Sequence, residues 1–184
     1  MRIVRTLAAI AIAAALARGG RSAAAPQSGT APDIFFAPTW EPVVDEMLAL
    51  AKVTRDDVVY DLGSGDGRIL IRAAQKYGAR GVGIEIDPRL VEISRQVARD
   101  GEVADKVTFI SGNLFDADIS PATVVTVYLS YSVNSRLAPK LRRELRPGTR
   151  IVSHQFTMGT WEPDARVRSA EDGTDLFLWI VAPR

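Results

Sequence analysis

Short apolar runs alternate with longer amphipathic stretches along most of the chain. Runs rich in Val and Ile predict buried strands at 58–62, 81–86, 106–111, 122–129 and 149–156. Between them, apolar residues recur every three or four positions, which predicts helices within 34–53 and over 67–78, 88–101 and 133–145. Strands that alternate with helices in this way form a parallel sheet with helices on both faces.

The C-terminal part has a different pattern. Residues 165–169 and 175–181 alternate between apolar and polar positions, and the turn residues 171–174 separate them, so we expect a β-hairpin. Residues 157–164 contain Gly159 and Pro163 and predict no helix. The whole pattern therefore predicts an α/β fold: a doubly wound, seven-stranded, mostly parallel sheet that ends in an antiparallel hairpin.

Residues 1–25 have the pattern of a targeting segment. Two arginines precede an apolar run of signal-peptide length, Leu7 to Ala17, and small residues follow it. Arg18 and Arg21 are unusual after a secretory signal, so an uncleaved anchor and an organelle transit peptide stay open. We expect a signal peptide or anchor at 1–25, a linker at 26–33 and one domain at 34–184. The expected location is exported or membrane-associated, on the periplasmic side.

Composition excludes several kinds of site. The chain of 184 residues has no cysteine and one histidine, His154, which excludes thiolate metal sites, multi-histidine metal sites and cysteine nucleophiles. We expect no metal. Four arginines within residues 1–25 account for the net charge of +1, since the rest of the chain carries 19 basic and 22 acidic residues, a net charge of −3. An acidic domain is a poor candidate for general nucleic-acid binding, so we expect no nucleic acid as partner.

The first strand runs directly into a glycine-rich loop. Asp61 to Gly67 reads D-x-G-x-G-x-G, and a helical pattern follows. Glycines let the backbone approach a ligand closely, and the helix N-terminus offers free N–H groups. The dinucleotide fingerprint G-x-G-x-x-G would need glycine at Arg68. The observed pattern resembles motif I of class I S-adenosylmethionine methyltransferases, although the loop alone leaves an NAD-dependent dehydrogenase open.

An acidic residue ends the second predicted strand. Glu85 lies 20 residues after Gly65, a distance at which a carboxylate accepts hydrogen bonds from ribose hydroxyls. This fits S-adenosylmethionine and NAD equally well. It argues against NADP, because the carboxylate would repel the additional phosphate.

Several further segments make the resemblance more specific. The chain resembles the archaeal broad-specificity protein lysine methyltransferase and the mitochondrial lysine methyltransferases that act on the ATP-synthase c subunit and the adenine nucleotide translocase. The resemblance covers about residues 35–182 and implies the Rossmann-like class I methyltransferase fold. Besides the glycine loop, the segments that carry it are Phe35–Thr39, Gly112–Phe115, Tyr128–Asn134, Leu141–His154 and Thr160–Pro163.

The resemblance also implies a function and roles for individual residues. It implies transfer of a methyl group from S-adenosylmethionine to the side-chain amine of lysine in a protein, membrane proteins included. The implied cofactor-binding residues are Asp61, Gly63, Ser64, Gly65, Glu85, Asn113 and Leu114. The chemistry of a lysine acceptor adds further candidates, because an apolar, aromatic channel would favour the neutral amine. We expect Phe36, Asn134 and Trp161 to bind the substrate, and Tyr128, Tyr131 and the strand-end His154 to be catalytic. A helix cap for Asn134 and a structural or substrate-orienting role for His154 stay open.

The segment after the fourth strand departs from a pattern of related enzymes. Amino-group methyltransferases often carry Asn-Pro-Pro-Tyr there, and this chain has Tyr128-Leu129-Ser130-Tyr131. The departure counts against a nucleobase or a glutamine amide as acceptor. A small-molecule methyltransferase and a non-catalytic S-adenosylmethionine-binding module stay open, as does the oligomeric state.

Overall fold

The computed structural model describes residues 37–183, which form four helices and seven strands. In chain order the elements are α1 (Glu41–Leu50), β1 (Val58–Leu62), α2 (Arg68–Tyr77), β2 (Arg80–Glu85), α3 (Pro88–Asp100), β3 (Val107–Ser111), β4 (Val124–Val127), α4 (Tyr131–Glu144), β5 (Arg150–His154), β6 (Ala165–Arg168) and β7 (Asp175–Ile180). The targeting segment and linker expected at 1–33, and Phe36, lie outside the described residues. The domain boundary therefore stays a prediction.

The strands form one sheet in the order β3-β2-β1-β4-β5-β7-β6. The first five strands pair in parallel, and β7 pairs antiparallel with β5 and β6. The predicted fold class is confirmed. The strand order reverses at β1, which lies between β2 and β4, and such a switch point opens a crevice at the carboxyl ends of the strands.

Two hydrophobic cores cover the two faces of the sheet. Helices α1, α2 and α3 pack on one face, where Val59, Val124 and Val152 point. Helix α4 packs on the other face with alternate residues of the same strands, such as Val125 and Ile151. Because successive side chains of a strand point to opposite faces, these β-branched runs are buried on both sides.

The start of α1 and the buried face of α3 are set by tertiary contacts. Thr39 does not cap α1: Trp40 occupies the N-cap without a side-chain hydrogen bond, and the Thr39 hydroxyl lies 3.3 Å from Nδ1 of His154. In α3, Val97 is 41% exposed and Ala98 is buried in its place. Because Val97 and Ala98 are both apolar, the sequence pattern does not fix which of them faces the sheet. Packing of the helix against the sheet decides it.

The connection between β5 and β6 has no helix, as predicted. One isolated bridge joins Met158 and Trp161 there. Among residues 37–183, none of the helices combines the length and the apolar character that crossing a bilayer requires.

The glycine loop is fixed by close packing beneath it. Gly67 precedes α2 with φ +81°, and a Cβ added there would lie 2.5 Å from Cζ of Phe109 on β3. Both the backbone conformation and the space therefore require glycine. This contact holds the loop against the third strand.

We predict that Gly67→Ala lowers the free energy of unfolding by about 2 to 5 kcal/mol, the sum of left-handed backbone strain and overpacking against Phe109. Gly148→Ala is the matched control, because Gly148 has φ +86° but no atom within 4 Å of an added Cβ. It should cost only about 1 to 2 kcal/mol. Urea unfolding of both variants measures the difference, and equal losses would contradict the packing argument.

Candidate functional site

A cavity of about 440 Å³ lies at the carboxyl ends of the strands around the switch point. The loops after β1, β2, β3 and β4 form its walls, together with the segment before α1. The position is the one where doubly wound sheets bind their ligands. The wall residues lie within 37–39, 61–69, 84–90, 112–115 and 128–133.

The glycine loop forms one wall through its backbone. Gly63 and Gly65 take positive φ values of +85° and +53°. The N–H groups of Gly63 and Ser64 both donate to the Ile84 carbonyl, at 2.8 Å and 3.1 Å, which ties the loop to β2. Ser64 contacts the cavity, but its hydroxyl is buried against Gly83 and has no hydrogen-bond partner among the described residues.

Glu85 connects this loop to the end of β2. Its Oε2 accepts from the Gly65 N–H and its Oε1 from the Asp87 N–H, both at 2.9 Å. The side chain is buried, with 8% of the residue's surface exposed. A carboxylate accepts about four hydrogen bonds, so both oxygens keep capacity for the hydroxyls of a bound ligand.

Asp61 is the most deeply buried acid of the cavity, with 2% of its surface exposed. The Thr126 hydroxyl donates to its Oδ1 at 2.8 Å. Burial raises the pKa of Asp61 to about 7, and the carboxylates of Glu85 and Asp66 add to the rise, while the bond from Thr126 opposes it. A cationic ligand would stabilise the ionised form of Asp61. The cavity therefore favours a ligand with an ammonium or sulfonium group.

Arg68 places a positive charge beside these acids. Its guanidinium forms an ion pair with Asp66 at 2.6 Å and donates to the Thr39 carbonyl at 3.0 Å. These contacts hold the segment before α1 against the glycine loop.

The loop after β3 supplies another wall of the cavity. The Asn113 Oδ1 accepts from the Phe115 N–H at 3.0 Å and has a second lone pair for a further donor. Asn113, Leu114 and Phe115 all line the cavity.

Tyr128 stands at the end of β4, where the cavity also meets Leu129. The Tyr128 hydroxyl donates to Oε1 of Gln155 at 3.3 Å, and its ring centroid lies 4.1 Å from that of His154. Tyr128 is thus the aromatic side chain after β4 that contributes to the cavity wall.

The structure does not bring four of the other expected residues to the cavity wall. Tyr131 is the first residue of α4 and is 53% exposed, while Trp161 packs on Trp179 beneath the guanidinium of Arg142. Neither lines the cavity.

Asn134 and His154 are both buried behind the cavity wall. Asn134 donates to the Ser153 hydroxyl and to the Phe156 carbonyl, both at 3.1 Å, and so supports the chain after β5. His154 is 3% exposed and lies behind Tyr128. Both are polar residues of the core, because α4 and β5 place them in the interior of the domain and not on the cavity wall.

Sequence reasoning missed Thr126, the partner of Asp61. The two residues are paired neighbours in the register of β1 and β4. A signal was present: Thr126 is the hydroxyl residue within the Val124–Val127 run. The pairing of β1 with β4, which brings this hydroxyl to Asp61, cannot be read from the sequence.

Comparison with known proteins places the chain among methyltransferases. Residues 61–165 match the model of the ANTKMT methyltransferase domain. A protein-lysine N-methyltransferase of Saccharolobus islandicus is 44% identical over 155 residues, covering 82% of this chain and 95% of the relative. The mouse adenine nucleotide translocase lysine N-methyltransferase is 37% identical over 72% of this chain and 56% of its own length. The human lysine N-methyltransferase of the ATP-synthase c subunit is 33% identical over 70% of this chain and 54% of its own length. The chain thus spans little more than half of the two mammalian relatives.

A solved structure is similar over nearly its whole length. It is described as an RNA methyltransferase from Salinibacter ruber in complex with S-adenosyl-L-homocysteine, with 56% sequence identity and a TM-score of 0.78. The similarity covers 80% of this chain and 95% of that one. The demethylated cofactor bound in that protein has the ammonium and ribose groups for which the acidic cavity is suited.

We predict that the affinity for S-adenosylmethionine rises by up to about tenfold from about pH 6 to about pH 8. The pKa of Asp61 is raised to about 7, so the carboxyl group is mostly protonated below that pH and ionised above it. Only the ionised form attracts the ammonium. Calorimetric titration measures the affinity, and two buffers of different ionisation enthalpy reveal the proton released on binding.

Asp61→Asn should bind more weakly and without this pH dependence. Asp56→Asn is the control, since Asp56 is exposed before β1, at the opposite end of the strands from the cavity. A flat affinity of the wild type over this pH range would contradict the assignment of Asp61.

Proposed function

The chain belongs to the ANTKMT methyltransferase family, and from this we propose that it transfers a methyl group from S-adenosylmethionine to the side-chain amine of lysine in a protein. The proposal is supported by the Saccharolobus islandicus relative, which this chain covers over 95% of its length. The observation on this chain that carries the proposal is the acidic cavity. The buried carboxyl groups of Asp61 and Glu85 line it together with Tyr128.

The residues of the cavity are proposed to position the cofactor. Asp61 receives its ammonium, Glu85 its ribose hydroxyls, and Asn113 and Leu114 its adenine. When bound, the cofactor supplies an activated methyl group on a sulfonium. The protein then contributes mainly orientation and the exclusion of water.

The acceptor sets a second requirement, because a lysine amine attacks only when it is neutral. Starting from a pKa of about 10.4, neutralising it near pH 7 costs about 4.6 kcal/mol. The apolar side of the cavity, with Tyr128, Leu129 and Val133, lowers this cost by desolvating the ammonium. The positive sulfonium adds to the effect.

RNA is the second candidate acceptor. The Salinibacter ruber structure favours it, because that protein is described as an RNA methyltransferase and is 56% identical. The net charge of −3 outside residues 1–25 counts against it, since RNA binding needs a basic surface. Lysine is preferred for this reason, and the test below separates the two.

We further propose that the lysine acceptor belongs to a membrane protein. It is supported by the two mammalian relatives, which are named for the adenine nucleotide translocase and for the ATP-synthase c subunit. An exported or membrane-associated location would place the enzyme near such substrates. That location depends on residues 1–25, and N-terminal sequencing together with fractionation of cells that express the full chain tests it.

We predict that the purified full chain transfers radiolabel from S-adenosylmethionine to lysine in a membrane protein fraction and not to total RNA. Acid hydrolysis should yield methylated lysine. Glu85→Ala should weaken cofactor binding by about 10- to 100-fold, because the charged hydrogen bonds are lost. Glu92→Ala is the matched control, since Glu92 is exposed on α3 away from the cavity.

Each other outcome contradicts the lysine proposal in a distinct way. Label in RNA alone would establish the second candidate. Label confined to small molecules would indicate a small-molecule methyltransferase, and cofactor binding without any transfer would indicate a non-catalytic binding module.

A further inference from the structure

Four side chains form a hydrogen-bonded chain that leads from the cavity wall to the surface. The Thr39 hydroxyl lies 3.3 Å from Nδ1 of His154, and Nε2 of His154 lies 2.8 Å from the Thr174 hydroxyl. The Thr174 hydroxyl in turn donates to Oδ1 of Asp172 at 2.7 Å. We name these four residues the Thr39–Asp172 relay. They come from three separate parts of the chain, and the fold alone brings them together.

The number of protons fixes the direction of these bonds. A threonine hydroxyl has one proton, and Thr174 gives its proton to Asp172. Thr174 must therefore accept from His154, which places the imidazole proton on Nε2. The Nδ1 atom is then an acceptor, and Thr39 donates to it. All the hydrogen bonds point the same way, from the cavity towards Asp172.

The two ends of the relay lie in different surroundings. Thr39 is a wall residue of the cavity and is 4% exposed. Asp172 is exposed in the turn between β6 and β7. Burial lowers the pKa of His154, with the nearby Asp172 opposing, so the imidazole is neutral near pH 7, as the one-directional chain requires.

The charged and titratable groups around His154 come from several elements. Asp172 Oδ2 lies 3.7 Å from its Nε2, and the Tyr128 ring packs against its own ring. On the side of Thr39, Arg68 binds the Thr39 carbonyl and is neutralised by Asp66. From α1, Glu46 accepts from the Ala170 N–H in the β6–β7 turn. Asp172 is thus the carboxylate among these groups that lies at the end of the hydrogen-bonded chain.

We propose that the Thr39–Asp172 relay carries the proton of the acceptor ammonium out of the cavity before methyl transfer. This inference rests on the proposed function, since a lysine acceptor arrives protonated. It assigns His154 a role as a relay residue that does not touch the substrate.

The transfer is balanced at every step. The ammonium N–H bond breaks and its proton goes to the Thr39 oxygen, while the proton of Thr39 goes to Nδ1 of His154. The Nε2 proton goes to the Thr174 oxygen, and the proton of Thr174 goes to Asp172 and then to solvent. The amine keeps the electron pair with which it attacks the methyl group. Between turnovers, when the cavity is open to solvent, the Nδ1 proton leaves through Thr39 to water, and Nε2 regains a proton through Asp172 and Thr174, which restores the starting arrangement.

We predict that Asp172→Asn and Thr174→Val lower the rate of lysine methylation near pH 7 by about 100-fold at saturating cofactor, the lower end of the range that side-chain proton transfer supplies. The deficit should shrink to about threefold or less near pH 10, where about 30% of the amine is already neutral in solution. Thr174→Ser keeps the hydroxyl and should retain the pH profile of the wild type. The acceptor in these assays is the protein fraction that the wild type labels.

The controls separate this proposal from the proposed function and from a merely structural role. Asp105→Asn changes an exposed carboxyl group before β3, away from the relay. Cofactor affinity by calorimetry should be unchanged in Asp172→Asn. If the wild type labels no lysine, the proposed function itself fails. If the wild type is active and the variants match it near pH 7, or show the same deficit near pH 10, the relay is overturned.

Discussion

The hydrogen bonds to Glu85 are the constraint on which the cavity depends. This one carboxylate accepts from the Gly65 N–H in the first loop and from the Asp87 N–H after β2. It therefore fixes the two loops at the switch point relative to each other. A charged group held by backbone donors keeps its place without large side-chain motions, which suits a site whose main task is orientation.

Burial of Asp61 gives the same site its charge preference. Removed from water beside two other carboxyl groups, this side chain has a pKa raised to about 7, and a ligand ammonium would relieve that cost. On the far side of the cavity, His154 connects the wall segment at Thr39 to the β6–β7 turn. The C-terminal hairpin thus extends the sheet and also contributes directly to the surroundings of the site.

Much of this could be predicted from local patterns. Apolar runs at β1, β2, β4 and β5 and the turn at 171–174 specify a seven-stranded sheet with a final hairpin. The positions of the glycine loop and Glu85 could also be predicted from the sequence, because spacing along a strand-loop-helix unit fixes which backbone groups come together. The residues with clear spacing are the ones that the structure places around the cavity.

The aromatic and polar candidates were harder to place, because their surroundings come from distant segments. Tyr131 and Trp161 lie off the cavity, and Asn134 and His154 are buried behind its wall. Thr126 and Thr174 gained roles that their neighbours in sequence do not suggest. The sequence by itself determined the sheet, the glycine loop and the two acidic residues Asp61 and Glu85, since local periodicity and spacing encode them. Only the tertiary structure decided which hydroxyl groups and aromatic rings contact these elements, because those contacts depend on strand pairing between residues far apart in the chain.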